Sequence, residues 1–331
     1  MNKKLFLIFF SSLSLFAATK PITPQVVEEQ LKDAEAEFNE AKKMFNPWYT
    51  GPLLAPSAHI LPPGLINIQP YVFLTNNYAK FDEHAHADDI PTLHQINPQV
   101  VVLIGMLDWL NGIVVAQGDR NKQKGHFSAN WGDTSVSLGF GLLAEGAYNP
   151  AILLSVKESI PTGKYQHLNP SKGGVDATGS GAYQTTIGLN LAKVVWWLTT
   201  HPMAFRFAQS WSIPAMVHVR GFNAYGGGHG THGKVRLGNS YSADFGYEFS
   251  FTKKWVLALD VVYNYSQKIT FSGHSASNLV GGPFSDQLSL APALEYNVNE
   301  NLGFIGGVWF TVWGRNSLDF VSGVMSFTYT F

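Results

Sequence analysis

The sequence predicts an all-β protein, a transmembrane antiparallel up-and-down β-barrel of about 12 strands with a short N-terminal periplasmic helix. Three observations carry this. Charged residues make up only 14% of 331, while aromatics reach another 14% and Gly numbers 32; soluble domains carry roughly a quarter charged residues. Little of this surface is built for bulk water. From Leu65 onward apolar and polar residues alternate with a period of two, in segments of about ten residues, the length a tilted strand needs to cross a bilayer. The links between segments are alternately short and long, as they are when all the turns of one kind share one side of a membrane.

The first element is a leader. Lys3 and Lys4 precede the apolar run "LFLIFFSSLSLF", and Ala17 and Ala18 follow it, the layout of a secretory signal peptide over residues 1–18. The run is shorter than the roughly 20 residues a helical span requires. Residues 19–50 then form a periplasmic amphipathic helix and linker. In "TPQVVEEQLKDAEAEFNEAKKMF", Thr23 caps the helix, Pro24 suits its first turn, and Lys42 and Lys43 complement the dipole at its end. Val27, Leu31, Ala34, Phe38, Ala41 and Phe45 recur at gaps of four and three, a short heptad seam. That seam suits pairing with a second copy of the chain, a plug for a pore, or packing against the barrel mouth. "NPWYTGP" stops the helix.

Residues 51–331 are the barrel. Alternation predicts strands near 65–75, 94–105, 111–119, 133–144, 151–160, 181–195, 203–217, 239–251, 254–267, 286–297, 301–312 and 317–331. In "WVLALDVVYNYS", Trp255, Leu257, Leu259, Val261, Tyr263 and Tyr265 oppose Val256, Ala258, Asp260, Val262, Asn264 and Ser266. The links "MLDWLN", "EGAYNP", "WLTTHP", "TKK" and "NEN" are short. Most of the others are long and polar, including "NNYAKFDEHAHADDIPTL" and "RGFNAYGGGHGTHGKVRLGN". Trp109, Trp196, Trp197 and Trp255 fall at the short-link ends, where a barrel carries its periplasmic aromatic girdle. In the last strand Met325, Phe327, Tyr329 and Phe331 share the lipid face. A closing strand of alternating aromatics ending in Phe resembles the segment by which outer-membrane assembly machinery recognises its clients, which implies that machinery as a partner. The expected location is the bacterial outer membrane.

Three stretches, "TGPLLAPSAHILPPGLINIQPYVFL", "ESIPTGKYQHLNP" and "TGSGAYQTTIGLNLAK", resemble the family of outer-membrane transporters named for the MetA pathway of phenol degradation. The resemblance covers most of the chain after the helix and implies a transport barrel for small hydrophobic or aromatic compounds. It brings no catalytic or binding residues with it.

The interior faces are small and polar, with Ser135, Ser137, Gly139 and Gly141 on one strand and Ser210 and Ser212 on another. Asp244, Glu248, Asp260 and Glu295 point inward on three successive strands, with Arg206 on the neighbouring one. They read either as an acidic stripe favouring cations or, for Arg206 and Glu248, as an ion pair that holds the wall. His84 and His86 in "DEHAHADD", and His229 and His232 in "GGGHGTHG", carry metal-binding groups, although polar external loops need no metal to explain such composition. No metal or other cofactor is expected. "GHSASN" supplies His274, Ser275, Ser277 and Asn278, but its spacing departs from the tight rim motif of barrel phospholipases, and no catalytic set follows. With no Cys and a net charge of -1, neither a thiol enzyme nor a nucleic-acid partner is indicated. The expected function is an outer-membrane channel for small solutes. The alternative is a closed-lumen surface structural or adhesive barrel that acts through its loops.

Overall fold

The computed structural model describes residues 23–43, 51–275 and 280–331. The leader and the stretch Asn46–Thr50 of the helix stop lie outside the described residues, as do Phe45, Ser277 and Asn278. One helix, α1 (Pro24–Lys42), is followed by strands β1 (Ile66–Phe81), β2 (Ala87–Leu107), β3 (Leu110–Gln123), β4 (His126–Trp131), β5 (Thr134–Leu143), β6 (Ala151–Ile160), β7 (Gln184–Val195) and β8 (Met203–Pro214). Then come β9 (Val217–Arg220), β10 (His232–Arg236), β11 (Ser240–Ser250), β12 (Trp255–Ser266), β13 (Thr270–His274), β14 (Ser285–Asn297), β15 (Leu302–Arg315) and β16 (Leu318–Thr330).

Twelve of these make a closed antiparallel ring in the order β1, β2, β3, β5, β6, β7, β8, β11, β12, β14, β15, β16, and β16 pairs back onto β1. Every one of the twelve predicted segments is a wall strand. The seam is complete to its last rung, where the backbones of Ile66 and Phe331 exchange two bonds of 2.9 Å. Closure is what allows a sheet to sit in hydrocarbon, because an open edge would leave N–H and C=O groups unpaired. The outer face is correspondingly apolar. Phe207, Phe245, Leu257, Leu294, Phe304, Met325 and Phe327 are all exposed, while Ser322, Val324, Ser326, Thr328 and Thr330 on the inner face of β16 are buried. This chain is a transmembrane barrel of the bacterial outer-membrane type.

Two features differ from the sequence reading. The link between β6 and β7, residues 161–183, is a long loop as expected, but several of the other external links are partly strand. β1 and β2 continue past the membrane as a hairpin and turn only at Asp82–His86, where Asp82 Oδ1 accepts the His84 and His86 N–H groups. β4 extends β5 along β3, and β9, β10 and β13 form a small outer sheet. That sheet has its own core of Val217, Val219, Val235 and Ala182, packed against Tyr165, Tyr225 and Phe271. β4 and β9 do alternate apolar with polar residues, but over only six and four residues, too short a run to announce a strand, and β10 and β13 are interrupted by Gly. The second difference concerns the girdle. Trp109, Trp197 and Trp255 are exposed at the periplasmic rim, but Trp196 turns to the helix, with its ring 5.4 Å from that of Phe38 and its indole N–H donated to Glu37.

α1 therefore lies on the periplasmic mouth. Phe38 and Ala41 are buried with Ala147, Val194 and Ala204, Glu35 accepts the Ala147 N–H at 2.8 Å, and Lys193 sits 4.4 Å above the Phe38 ring. Only the C-terminal half of the heptad seam is used this way. Val27 and Leu31 remain exposed.

Phe245 faces lipid midway along β11, between Phe207 and Val261. Phe245→Arg should cost about 2–4 kcal/mol, read as a lower urea midpoint for refolded barrel in lipid vesicles. An inward change of similar size, Ser210→Arg, should not show that depth-dependent cost.

Candidate functional site: a segment seated in the lumen

Residues 51–64, "GPLLAPSAHILPPG", precede the first strand and contain four prolines, so they can form neither helix nor ladder. The structure threads them through the barrel. Leu53 is 2% exposed, packed among the inward side chains Ala258, Ala291, Ala293, Ile305 and Val324 from four strands. Further along, Ala58 is buried with Ala151, Leu153 and Ala192, with Ile60 against them. Wall glycines make room for it. A Cβ on Gly246 would lie 2.7 Å from the Pro52 ring, and one on Gly105 would lie 2.0 Å from the Pro62 carbonyl oxygen.

An irregular backbone inside a barrel still needs partners for its polar groups, and inward side chains of the wall supply them. Asp260 accepts both the Leu54 and Ala55 N–H groups at 3.1 Å. Asn111 accepts the Leu61 N–H at 3.0 Å and donates to the His59 carbonyl, and Asn190 donates to the Ser57 carbonyl. His59 Nε2 lies 2.9 Å from Glu145 Oε2 in the periplasmic turn before β6. Burial opposes ionisation of that carboxyl, but the His59 bond, the Val194 N–H and nearby Lys193 outweigh it and hold Glu145 below its usual range.

The charged residues singled out in the sequence have these positions. Arg206 is 3% exposed, its Nε lies 3.2 Å from Glu248 Oε2, and Nη1 reaches the Ala55 carbonyl at 3.5 Å. Glu295 is buried and accepts from Asn297 at 2.8 Å. Asp244 is buried diagonally across the ladder from Asp260, since Asp260 pairs with Gly246 and Asp244 with Val262. Its Oδ1 has no hydrogen-bond partner among the described residues. The structure thus gathers Arg206, Asp244, Glu248 and Asp260 around Gly246 and the start of the threaded segment. His84 and His86 are at the tip of the β1–β2 hairpin, and His229 lies in the turn before β10, all far along the chain's outer extensions from this cluster.

Two cavities flank the segment. One, of about 270 Å³, lies between it and the inner faces of β1 and β2. Tyr71, Phe73, Val101 and Leu103 form its wall side, Leu53, Leu54, Ile60 and Leu61 its segment side, and Gln69, Gln99 and Arg206 are its polar points. The other, of about 410 Å³, opens beside Lys42 of α1 and is lined by Asp108, Gly141, Leu143 and Glu145. His59 and Ile60 border both. From the first cavity an aromatic series runs up the lumen. Tyr71 stacks on Phe73 at 5.9 Å, Phe73 meets Trp309 at 6.4 Å, and Trp309 meets Phe320 at 4.7 Å. Sequence reasoning missed the threaded segment. Its one signal was Leu53, Leu54, Ile60 and Leu61 crowded between prolines, too apolar for a linker in water.

Comparisons with solved structures agree with this architecture. An outer membrane channel from Pseudomonas putida F1 superposes with a TM-score of 0.67 at 11% identity, over 83% of this chain and 98% of that one. A NanC porin gives a TM-score of 0.43 at 9% identity, over 78% of this chain and 98% of the porin. The Pseudomonas putida toluene transporter TodX gives 0.38 at 13%, over 81% and 90%. At these identities the first likeness is one of fold, and the other two add nothing to it. No protein-family model matches the chain, and no curated protein matches it in sequence.

Asp260→Ala removes the acceptor of two interior N–H groups, at a cost on the order of 1–3 kcal/mol for each group orphaned. Hydrogen exchange at Leu54 and Ala55 should then accelerate at least tenfold while exchange in β12 stays slow. Equal rates in both proteins would mean that Asp260 does not hold the segment.

Proposed function

We propose that this barrel is an outer-membrane channel for small hydrophobic or aromatic solutes, gated from inside by residues 51–64. The observation that carries the reading is the 270 Å³ cavity, whose walls are aromatic and aliphatic with few polar points. Binding sites for apolar ligands have this make-up, and the size suits a compact solute. The resemblance to transporters of the phenol-degradation family agrees with it, as does the aromatic series that leads down from Phe320 to Tyr71.

The route implied is stepwise. A solute descends the aromatic faces into the upper cavity, where it displaces loosely held water from an apolar wall. Passage to the lower cavity requires His59 and Ile60 to move aside, which breaks the His59–Glu145 contact. Because that contact and the Asp260 bonds are polar and individually modest, the segment can shift without the wall strands parting. The carboxylates in this reading are mainly structural: Asp260 holds the segment, Glu248 pairs with Arg206, and Glu295 bonds Asn297. Asp244 is the member we assign to any preference for cations.

Planar-bilayer recording of the refolded mature chain should give little ion conductance. Deleting 23–45 should leave it low, since residues 51–64 stay seated, whereas Asp260→Ala should produce stepwise openings. Cells carrying the intact protein should take up a labelled monoaromatic severalfold faster than cells carrying Phe73→Gln. Large ion flux with no effect of Phe73→Gln would overturn the choice of solute. Absence of both flux and uptake would favour the closed-lumen surface barrel, which the long outer extensions could serve.

The charge assignment is tested separately. In the conducting Asp260→Ala background, Asp244→Asn should move the reversal potential in a salt gradient toward zero. An unmoved potential removes Asp244 from selectivity.

A further inference from the structure

The β11–β12 ribbon does not end at the membrane. β10 leads into β11 and β13 leaves β12, so the two continue the same antiparallel pair outward, joined through Asn239 and Gln267. At the far end of this extension His232 stands directly opposite His274. Their ring centroids are 5.5 Å apart with 32° between the planes, and both side chains are exposed. Neither ring packs into the core of the outer sheet.

The arrangement has the dimensions of a shared ligand. Imidazole nitrogens bind zinc at about 2.0–2.1 Å, and two rings on one tetrahedral ion have centres roughly 5 Å apart. A small rotation of either ring meets that requirement. His232 is also set for the task. Its Nδ1 lies 3.1 Å from the Gly230 carbonyl oxygen, a bond that only a protonated nitrogen can donate. The lone pair is therefore on Nε2, and the ring has the outer support that metal-binding histidines use to fix tautomer and direction. The backbone beneath is a ladder of five pairs, His232–Arg236 against Thr270–His274. Next to the histidines Gly233 pairs with Gly273, where a Cβ on Gly273 would lie 2.4 Å from the His232 carbonyl oxygen. The two strands are held close by a contact that side chains would prevent.

The other outer histidines differ. His84 and His86 occupy a turn, with ring centroids 6.5 Å apart, and each lies 3.5 Å from a neighbouring carboxylate, Glu83 and Asp82. The sequence groups His232 with His229 in one glycine-rich run. The fold gives it a partner 42 residues later that no local motif could reveal.

We propose that His232 and His274 form a two-nitrogen site for a divalent transition ion of the Cu²⁺, Ni²⁺ or Zn²⁺ type at the extracellular end of the β10–β13 ribbon. Imidazole suits these ions, and water completes their coordination. Among the described residues no group of three or more ligands is present, so the site is open and of modest affinity. An ion there clips together the last rung of a ribbon that would otherwise fray. The proposal is independent of what crosses the lumen.

The test uses the full mature chain in detergent micelles, titrated with Cu²⁺ and followed by electron paramagnetic resonance. One equivalent should show hyperfine coupling to two imidazole nitrogens. That two-nitrogen signal should be lost in His232→Ala and in His274→Gln, and kept in the double variant His84→Ala/His86→Ala. Heat-modifiable gel migration of each variant reports the intact barrel. A second measurement needs no substitution: Zn²⁺ should protect His232 and His274 together from carbethoxylation, while His84 stays reactive. A two-nitrogen signal that survives in His274→Gln, or one that disappears with His84 and His86, overturns the proposal. So does modification of His232 and His274 at equal rates with and without Zn²⁺.

Discussion

Inside a bilayer no water is available to a peptide group, and the whole molecule is arranged around that scarcity. The wall meets it by closing β16 onto β1, so that every strand has two neighbours. The threaded segment cannot meet it that way, because its prolines rule out a ladder. Its N–H and C=O groups are instead served one by one, by Asp260, Asn111, Asn190 and Arg206. These side chains act as a substitute strand edge. That requirement accounts for polar residues at inner positions where a merely filled barrel could have used aliphatic ones.

The same demand bears on how firmly the lumen is closed. Apolar contacts such as Leu53 among the small side chains of β12, β14, β15 and β16 favour the seated state through burial. The polar contacts choose its register, since Asp260 takes the N–H groups of Leu54 and Ala55 and Asn111 takes that of Leu61. Burial without that register would leave a loose apolar stretch, whereas register without burial would leave charges in an unfilled channel. α1 adds a third contact by resting Phe38 against Val194 of β7 and Ala204 of β8 at the rim.

The twelve wall strands were legible because lipid outside and a polar lumen inside impose opposite demands on adjacent residues. Leu257 and Ala258, or Phe327 and Thr328, state both environments within two positions. The helix was legible from its cap and the spacing of Ala34, Phe38 and Ala41. Residues 51–64 were not, since an extended Pro-rich chain has no period and a hydrogen-bond partner such as Asp260 lies 206 residues from Leu54. The outer ribbons were hidden for a related reason. His232 and His274, or Val235 and Phe271, are neighbours across a ladder, and register between strands is not written in either strand alone. The inward carboxylates could be placed on a face from sequence. Which of them holds the segment and which holds Arg206 depended on where the segment runs.

Leu53 touches Ala258, Ile305 and Val324, so its seat does not exist until the last strand has been laid down. Contacts of such separation in sequence form late, because a long loop must be closed before they return any free energy. Until then "LLAPSAHILPP" is an apolar stretch without a home, attached to the edge of an unclosed sheet. Until β1 and β16 pair, the chain therefore exposes an apolar stretch and an unpaired sheet edge together. The seat of Leu53 and the β1–β16 seam are thus both completed by the same last strand.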